Sequence, residues 1–298
     1  MLSLSRQPWL RDWMQNSPLA SRFTSRFIAG RTLDQALKVS ARLGAEGALA
    51  SLDRLGENVT SLEEARESRD AYLKALDGIA DSQIGSTVSV KLTQMGLDLS
   101  EHHCQENVAA LAQRAAQLGT RIEIDMESSE YTDRTLDQVR RVHQTTGNVR
   151  AVIQAYLLRS STDVDRLCEE SIPVRLCKGA YHEPPSVAYQ HKREVDASFS
   201  RLMRTLLERG TYPAIASHDE RLIREAIATA GKLRRAPDSF EFQMLYGIRR
   251  DLQKELVASG YRLRVYVPYG DAWYPYFMRR LAERPANLWF VVRNVLRA

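Results

Sequence analysis

The stretch TVSVKL, Thr87 to Leu92, leads into the helical run SEHHCQENVAALAQRAAQL, Ser100 to Leu118, which stops at Gly119 before RIEIDM, Arg121 to Met126. A short β-branched and apolar run, an amphipathic helix with Ser before it and Gly behind it, and a second short run together read as a β-α-β unit. Strands joined this way run parallel with a right-handed crossover. The alternation recurs outward in both directions. Further runs are Ala48 to Leu52, Val149 to Ala155, Pro173 to Cys177, Tyr212 to Ala216, Phe240 to Leu245 and Tyr261 to Val267, making eight in all. Helical patterns between them close on glycine, as in Thr132 to Thr146 before Gly147 and Val195 to Arg209 before Gly210. Eight such units in about 250 residues predict a closed α/β barrel of the (β/α)8, TIM-like kind. An open doubly wound sheet is the competitor, but Gly44, Gly47 and Gly56 lack the G-x-G-x-x-G spacing and context it needs. Residues 1–45, with a helical pattern from Thr32 to Leu43, read as a short N-terminal arm, and residues 46–298 as one barrel domain. No Pro- or Ser-rich linker divides the chain.

Composition narrows the function. Of 298 residues, 44% are hydrophobic and 27% charged, which excludes global disorder and a disulfide scaffold. No run approaches the roughly 18 apolar residues of a membrane span, since Arg293 and Asn294 interrupt the tail Leu288 to Leu296. The balance of 42 basic against 37 acidic residues, a net +5, points to no polyphosphate, so no nucleic-acid partner is expected. Cys104, Cys168 and Cys177 are odd in number and lack CxxC spacing, which fits a reducing compartment. Arg6 and Arg11 are followed by no apolar signal core, so a cytoplasmic location is expected.

In a barrel of this kind the chemistry sits at the carboxyl ends of the strands. Those ends carry Glu57; Lys91; Asp125, Met126 and Glu127; Gln154; Arg175, Lys178, Gly179 and Ala180; Ser217, His218 and Asp219; Gln243; and Tyr266. Of six histidines only His218 lies at a strand end, so no metal site is expected. Asp125 with Asp219 could form a glycosidase pair, but no aromatic platform for a sugar accompanies them. Buried Lys91 and Arg175 need anionic partners. Asp125 and Glu127 could supply these in a structural network; taken together, several cations around one acid suit an anionic ligand better.

The last helical string, DAWYPYFMRRLAE from Asp271 to Glu283, places Trp273, Tyr274, Phe277, Met278 and Leu281 on one arc. Tyr276, Arg279, Arg280 and Glu283 fall on the other. Adjacent arginines suit bidentate capture of a carboxylate, yet they also suit a solvated ion-pair face; geometry leaves the two open.

The strings resolve this in combination. YFMRRLAE at Tyr276 to Glu283 and RVYVPYG at Arg264 to Gly270 resemble the C-terminal signature of the proline dehydrogenases. LGENVT (Leu55), VSVKLTQMG (Val88), IDMES (Ile124), VIQAYL (Val152), VRLCKGAY (Val174), ASHD (Ala216) and FEFQMLYG (Phe240) follow in family order, from about Leu55 to Arg293.

The resemblance implies a distorted barrel that binds FAD and oxidises L-proline to Δ1-pyrroline-5-carboxylate. It implies that Lys91, Arg279 and Arg280 hold the substrate carboxylate, that Tyr266 packs on the proline ring, and that Tyr276 closes the pocket. Met126, Gln154, Arg175, Lys178, Gly179, Ala180, Ser217 and His218 are implied as FAD contacts. Asp125 would orient Lys91 or tune the pocket, being less suited to act as base, and Glu57 would gate the site by pairing with Arg279. The resemblance also implies quinone as electron acceptor, hence peripheral membrane contact, and a separate pyrroline-5-carboxylate dehydrogenase downstream. Cys177 departs from an aliphatic position and reads as a small core residue. A related cyclic amino acid such as hydroxyproline is the alternative substrate, against which the bulk of Tyr266 argues.

Overall fold

The structure, a computed structural model, describes residues 24–282, and side chains as far as residue 278. Helix α1 (Leu33–Ala45) precedes strand β1 (Leu49–Arg54) and helix α2 (Leu62–Asp81). Then come β2 (Thr87–Val90), α3 (Glu101–Gln117), β3 (Ile122–Ile124), α4 (Thr132–Thr146), β4 (Val149–Gln154) and α5 (Ser160–Glu169). They continue with β5 (Val174–Cys177), α6 (Lys192–Arg209), β6 (Ala214–Ala216), α7 (Glu220–Lys232), β7 (Glu241–Leu245), α8 (Arg250–Ala258), β8 (Leu263–Tyr269) and α9 (Trp273–Ala282). The strands close into one parallel barrel, β1 pairing with both β2 and β8. The expected (β/α)8 fold is the observed one.

Local signals set the helix ends. Thr32 and Gln35 form a capping box at α1, and Ser61 and Ser100 accept from Glu64 N and His103 N at the starts of α2 and α3. Gly147 ends α4 at φ 69°. Gly210 ends α6 differently, with φ −75°; a Cβ there would stand 2.6 Å from the Leu206 carbonyl oxygen, so space is what selects glycine.

The strands are buried on both faces but alternate in character. Val88, Val90, Ile122, Ile124, Leu263, Val265 and Val267 join the apolar layer between barrel and helices. Asp53, Ser89, Glu123, Asp125, Arg150, Arg175, Glu241, Gln243 and Arg264 are buried polar positions of the alternate set. Four of these are carboxylates, and with Lys91 four are cations, so the interior is a charge-balanced network rather than the usual branched aliphatic filling.

Of the expected arm, residues 1–23 lie outside the described residues. Helix α1 buries Ala36 and Leu43 in the same core as the barrel. The segment before it runs along the end of β8, with Ala29 N donating to Pro268 O at 2.9 Å.

Candidate active site

Two layers of polar side chains fill the barrel. In the lower layer Arg150 pairs with Glu123 at 3.1 Å and with Glu241, and Arg264 Nε donates to Glu241 Oε1 at 2.9 Å. Gln243 Nε2 donates to both Glu123 and Glu241. In the upper layer Lys91 Nζ lies 3.1 Å from Asp53 Oδ1 and 3.6 Å from Asp125 Oδ2. Asp125 also accepts from Ser89 Oγ at 2.8 Å, from the Tyr266 hydroxyl at 2.8 Å, and from Arg175. Arg175 links the layers through Glu123 at 3.1 Å, and its guanidinium lies 5.4 Å from the centre of the Tyr266 ring.

These surroundings split the two upper acids. Burial pushes the Asp53 carboxyl up, because Lys91 pulls the other way without cancelling it. Burial acts on Asp125 too, but Arg175 and then Lys91 outweigh it and hold that carboxyl below its ordinary value. Lys91 is driven well above its ordinary value, its burial overcome chiefly by Asp53. Burial and then Asp125 raise the Tyr266 hydroxyl far enough to keep it a donor.

Lys91, Asp125, Arg175 and Tyr266, each picked out from the sequence, therefore form one bonded cluster. Glu127 stands apart from it: its carboxylate accepts from Thr93 N at 3.0 Å and Thr93 Oγ1 at 2.6 Å instead of pairing with Lys91 or Arg175. The partner the sequence reading missed on Lys91 is Asp53, with Glu123 its counterpart on Arg175. The strand alternation Ser51, Asp53 and Glu123, Asp125 was the available signal, since it puts each acid on the same face as a residue already noted.

The remaining candidates line the loops after β4, β5 and β6. Gln154 Nε2 donates to Glu127 O at 2.8 Å, and its Oε1 accepts from Ala180 N at 3.1 Å, tying β4 to the loop after β5. Gly179 has φ 131°, and a Cβ there would stand 2.3 Å from the Tyr156 ring. Lys178 Nζ bridges Asp196 at 2.6 Å and Asp219 at 3.0 Å. Ser217 Oγ accepts from Asp219 N, and His218 Nε2 accepts from Leu245 N at 2.8 Å. Met126 is buried in the core, and Glu57 is half-buried where its charge reaches Lys91.

Tyr276 differs from its expected polar arc. It is buried with Phe27, Ile28, Leu55, Ile248, Trp273, Tyr274, Phe277 and Met278, because the segments before α1 and after β1 and β7 pack on α9. The backbone of Arg279 and Arg280 continues α9; their side chains, and the tail Asn287 to Arg297, lie outside the described residues.

The mouth is unevenly closed. On β1 to β4, Asp53, Lys91, Asp125 and Gln154 are buried, whereas on β5 to β8 Cys177, Ala216, Leu245 and Tyr266 are partly exposed. The more exposed half offers small or apolar side chains, the open backbone of Gly179 and Ala180, and the cation Lys178, with Arg175 buried beneath. That donor set suits a planar cofactor ring with a polar edge and an anionic extension. Burial pushes the Cys177 thiol up to about 11, so it stays protonated near neutral pH. Among the described residues no cluster of His, Cys, Asp and Glu is arranged to hold a metal, and no helix is long and apolar enough to cross a membrane.

A family model described as "Proline dehydrogenase" matches residues 36–293. The chain is 42% identical over 272 residues to "Proline dehydrogenase 1" of Bacillus subtilis subsp. natto, covering 91% of this chain and 90% of that one. It is 40% identical over 277 residues to "Proline dehydrogenase" of Deinococcus radiodurans, covering 91% and 89%. Among solved structures, proline utilization A (PutA) from Bdellovibrio bacteriovorus superposes with a TM-score of 0.82 at 28% identity. That match covers 88% of this chain and 32% of the PutA chain.

Proposed function

The chain belongs to the proline dehydrogenase family, and we propose that it oxidises L-proline to Δ1-pyrroline-5-carboxylate with FAD as its flavin cofactor. The observation that carries this reading is the bonded cluster of Lys91, Asp125, Arg175 and Tyr266 beside the more open half of the mouth, on β5 to β8. Bound FAD would accept hydride from proline C5 and pass the electrons to a quinone. In this reading Arg175, Lys178, Met126, Gln154, Gly179, Ala180, Ser217 and His218 hold the cofactor.

The chain's own contribution is chiefly positioning. Lys91 has one face fixed by Asp53 and Asp125 and presents its charge to the substrate carboxylate, with Arg279 and Arg280 reaching it from α9. Tyr266 packs against the ring while its hydroxyl is tied to Asp125, and Tyr276 closes the pocket from α9. An acid that holds its proton so weakly is a poor base at neutral pH, so Asp125 orients Lys91 and Tyr266 and leaves the proline amine proton to water. Glu57, close enough to act on Lys91, gates entry by pairing with Arg279. The product passes to a separate pyrroline-5-carboxylate dehydrogenase, and the quinone brings the cytoplasmic protein to the membrane surface as a peripheral visitor.

The purified protein is expected to be yellow, and its flavin absorbance to bleach when L-proline is added without oxygen. A colourless protein that gains no proline oxidation on adding FAD overturns the reading; bleaching with hydroxyproline as fast as with proline overturns the role given to Tyr266.

A further inference from the structure

A cavity of about 670 Å³ opens at the end of the barrel opposite the mouth, where the strands begin. Its lining includes Ser86, Arg121, Asn148, Tyr212, Arg262 and Arg264. Three guanidinium groups gather round the Tyr212 ring, with Arg121 5.1 Å, Arg150 5.3 Å and Arg262 5.7 Å from its centre. The backbone of Tyr212 sits at φ 40°, a costly conformation for an aromatic residue, and the fold holds the ring there.

The charges at this end do not cancel. Arg150 and Arg264 are neutralised by Glu123 and Glu241 within the barrel. Arg121 forms no ion pair among the described residues and rests on the Tyr212 ring, with Glu241 and Glu123 reaching it only through space. Arg262 donates to the Tyr212 hydroxyl at 3.1 Å and likewise forms no ion pair; Asp238 and Glu241 reach it only through space. Two cations are left over beside a cavity, and burial and the nearby Arg150 make the Arg121 charge costly to keep.

We infer that this end of the barrel binds a phosphoryl anion, gripped by Arg121 and Arg262. Planar guanidinium groups match phosphate oxygens. Such a ligand would bind an end of the barrel remote from the mouth, so the site is independent of the reaction proposed there.

The test is isothermal titration of the full-length, flavin-loaded protein with inorganic phosphate and glycerol 3-phosphate at matched ionic strength. Saturable binding of phosphate or the ester is expected; tighter binding of the ester identifies a phosphorylated metabolite, and tighter binding of phosphate the free ion. Arg262→Gln, at an exposed position, and Arg121→Gln should each weaken binding about tenfold or more, both with proline turnover unchanged. No saturable binding, or unchanged affinity in both variants, overturns the inference.

Discussion

The two layers of charge inside the barrel use the same residue types to opposite ends. In the lower layer Glu241 takes both nitrogen-bearing edges it faces, from Arg264 and Arg150, and every one of these side chains is under a tenth exposed. In the upper layer Asp53 keeps one carboxylate oxygen without a hydrogen bond, Lys91 is shared unevenly between two acids, and the Tyr266 ring reaches the mouth. A buried ionic network with every carboxylate oxygen bonded, as in the lower layer where Arg150 Nε alone lacks a partner, specifies structure, whereas one with an accessible edge can take up a charged substrate. Only the upper layer is therefore assigned to chemistry.

The contrast breaks most sharply at Glu241. In Glu241→Gln, Arg150 and Arg264 are left to share Glu123, which Arg175 already engages. Removing one partner from a buried network of this kind costs about 3–5 kcal/mol of stability. Denaturant unfolding should show this loss, while KM for proline measured on the folded fraction stays at the wild-type value. A raised KM with unchanged stability would mean that the lower layer belongs to the site.

Arg280→Ala asks the reverse question at the mouth. Losing one charged hydrogen bond to the substrate carboxylate should weaken apparent proline binding by about 1.5–3 kcal/mol, and unfolding should be little altered. Proline affinity that survives both this change and Arg279→Ala removes the carboxylate assignment and returns the arginine pair to a solvated helix face.

What the sequence revealed follows the same division. The strand and helix alternation is a local, periodic signal, so all eight strands were placed, with ends displaced by a residue or two as for Leu49–Arg54 against Ala48 to Leu52. Lys91 and Arg175 stood out because charge inside an apolar run is costly. Their partners did not, because ordinary alternation in RIEID or RLRVY reads as a strand with one wet face. Here that face looks into the barrel interior, and which acid meets which base depends on register between strands distant in sequence, as with Arg150 and Glu241. The burial of Tyr276 was not legible for a related reason: a helix wheel assumes one covered side, and α9 is wrapped by chain from three other places.

The finest probe of the upper layer is Tyr266→Phe, which keeps the ring and removes the donor to Asp125 Oδ2. At pH 7 the loss should be about 1–2 kcal/mol of stability, since the oxygen retains only Lys91 at 3.6 Å. Its pH dependence has a definite sign. Asp125 in the folded protein lies below the ordinary 3.8, so the stability its ionised form contributes is fully present above that value and drains away as pH falls through the folded one. Without the Tyr266 hydroxyl the folded value rises, so the variant has lost this contribution completely at a higher pH than the wild type. The gap between the two proteins should then be constant from pH 7 to about 5 and shrink below 4. A gap that persists unchanged after Asp125 has been protonated in both folded proteins would show that the hydroxyl stabilises without the ionised carboxylate, and the bond to Asp125 would lose its place in the cluster.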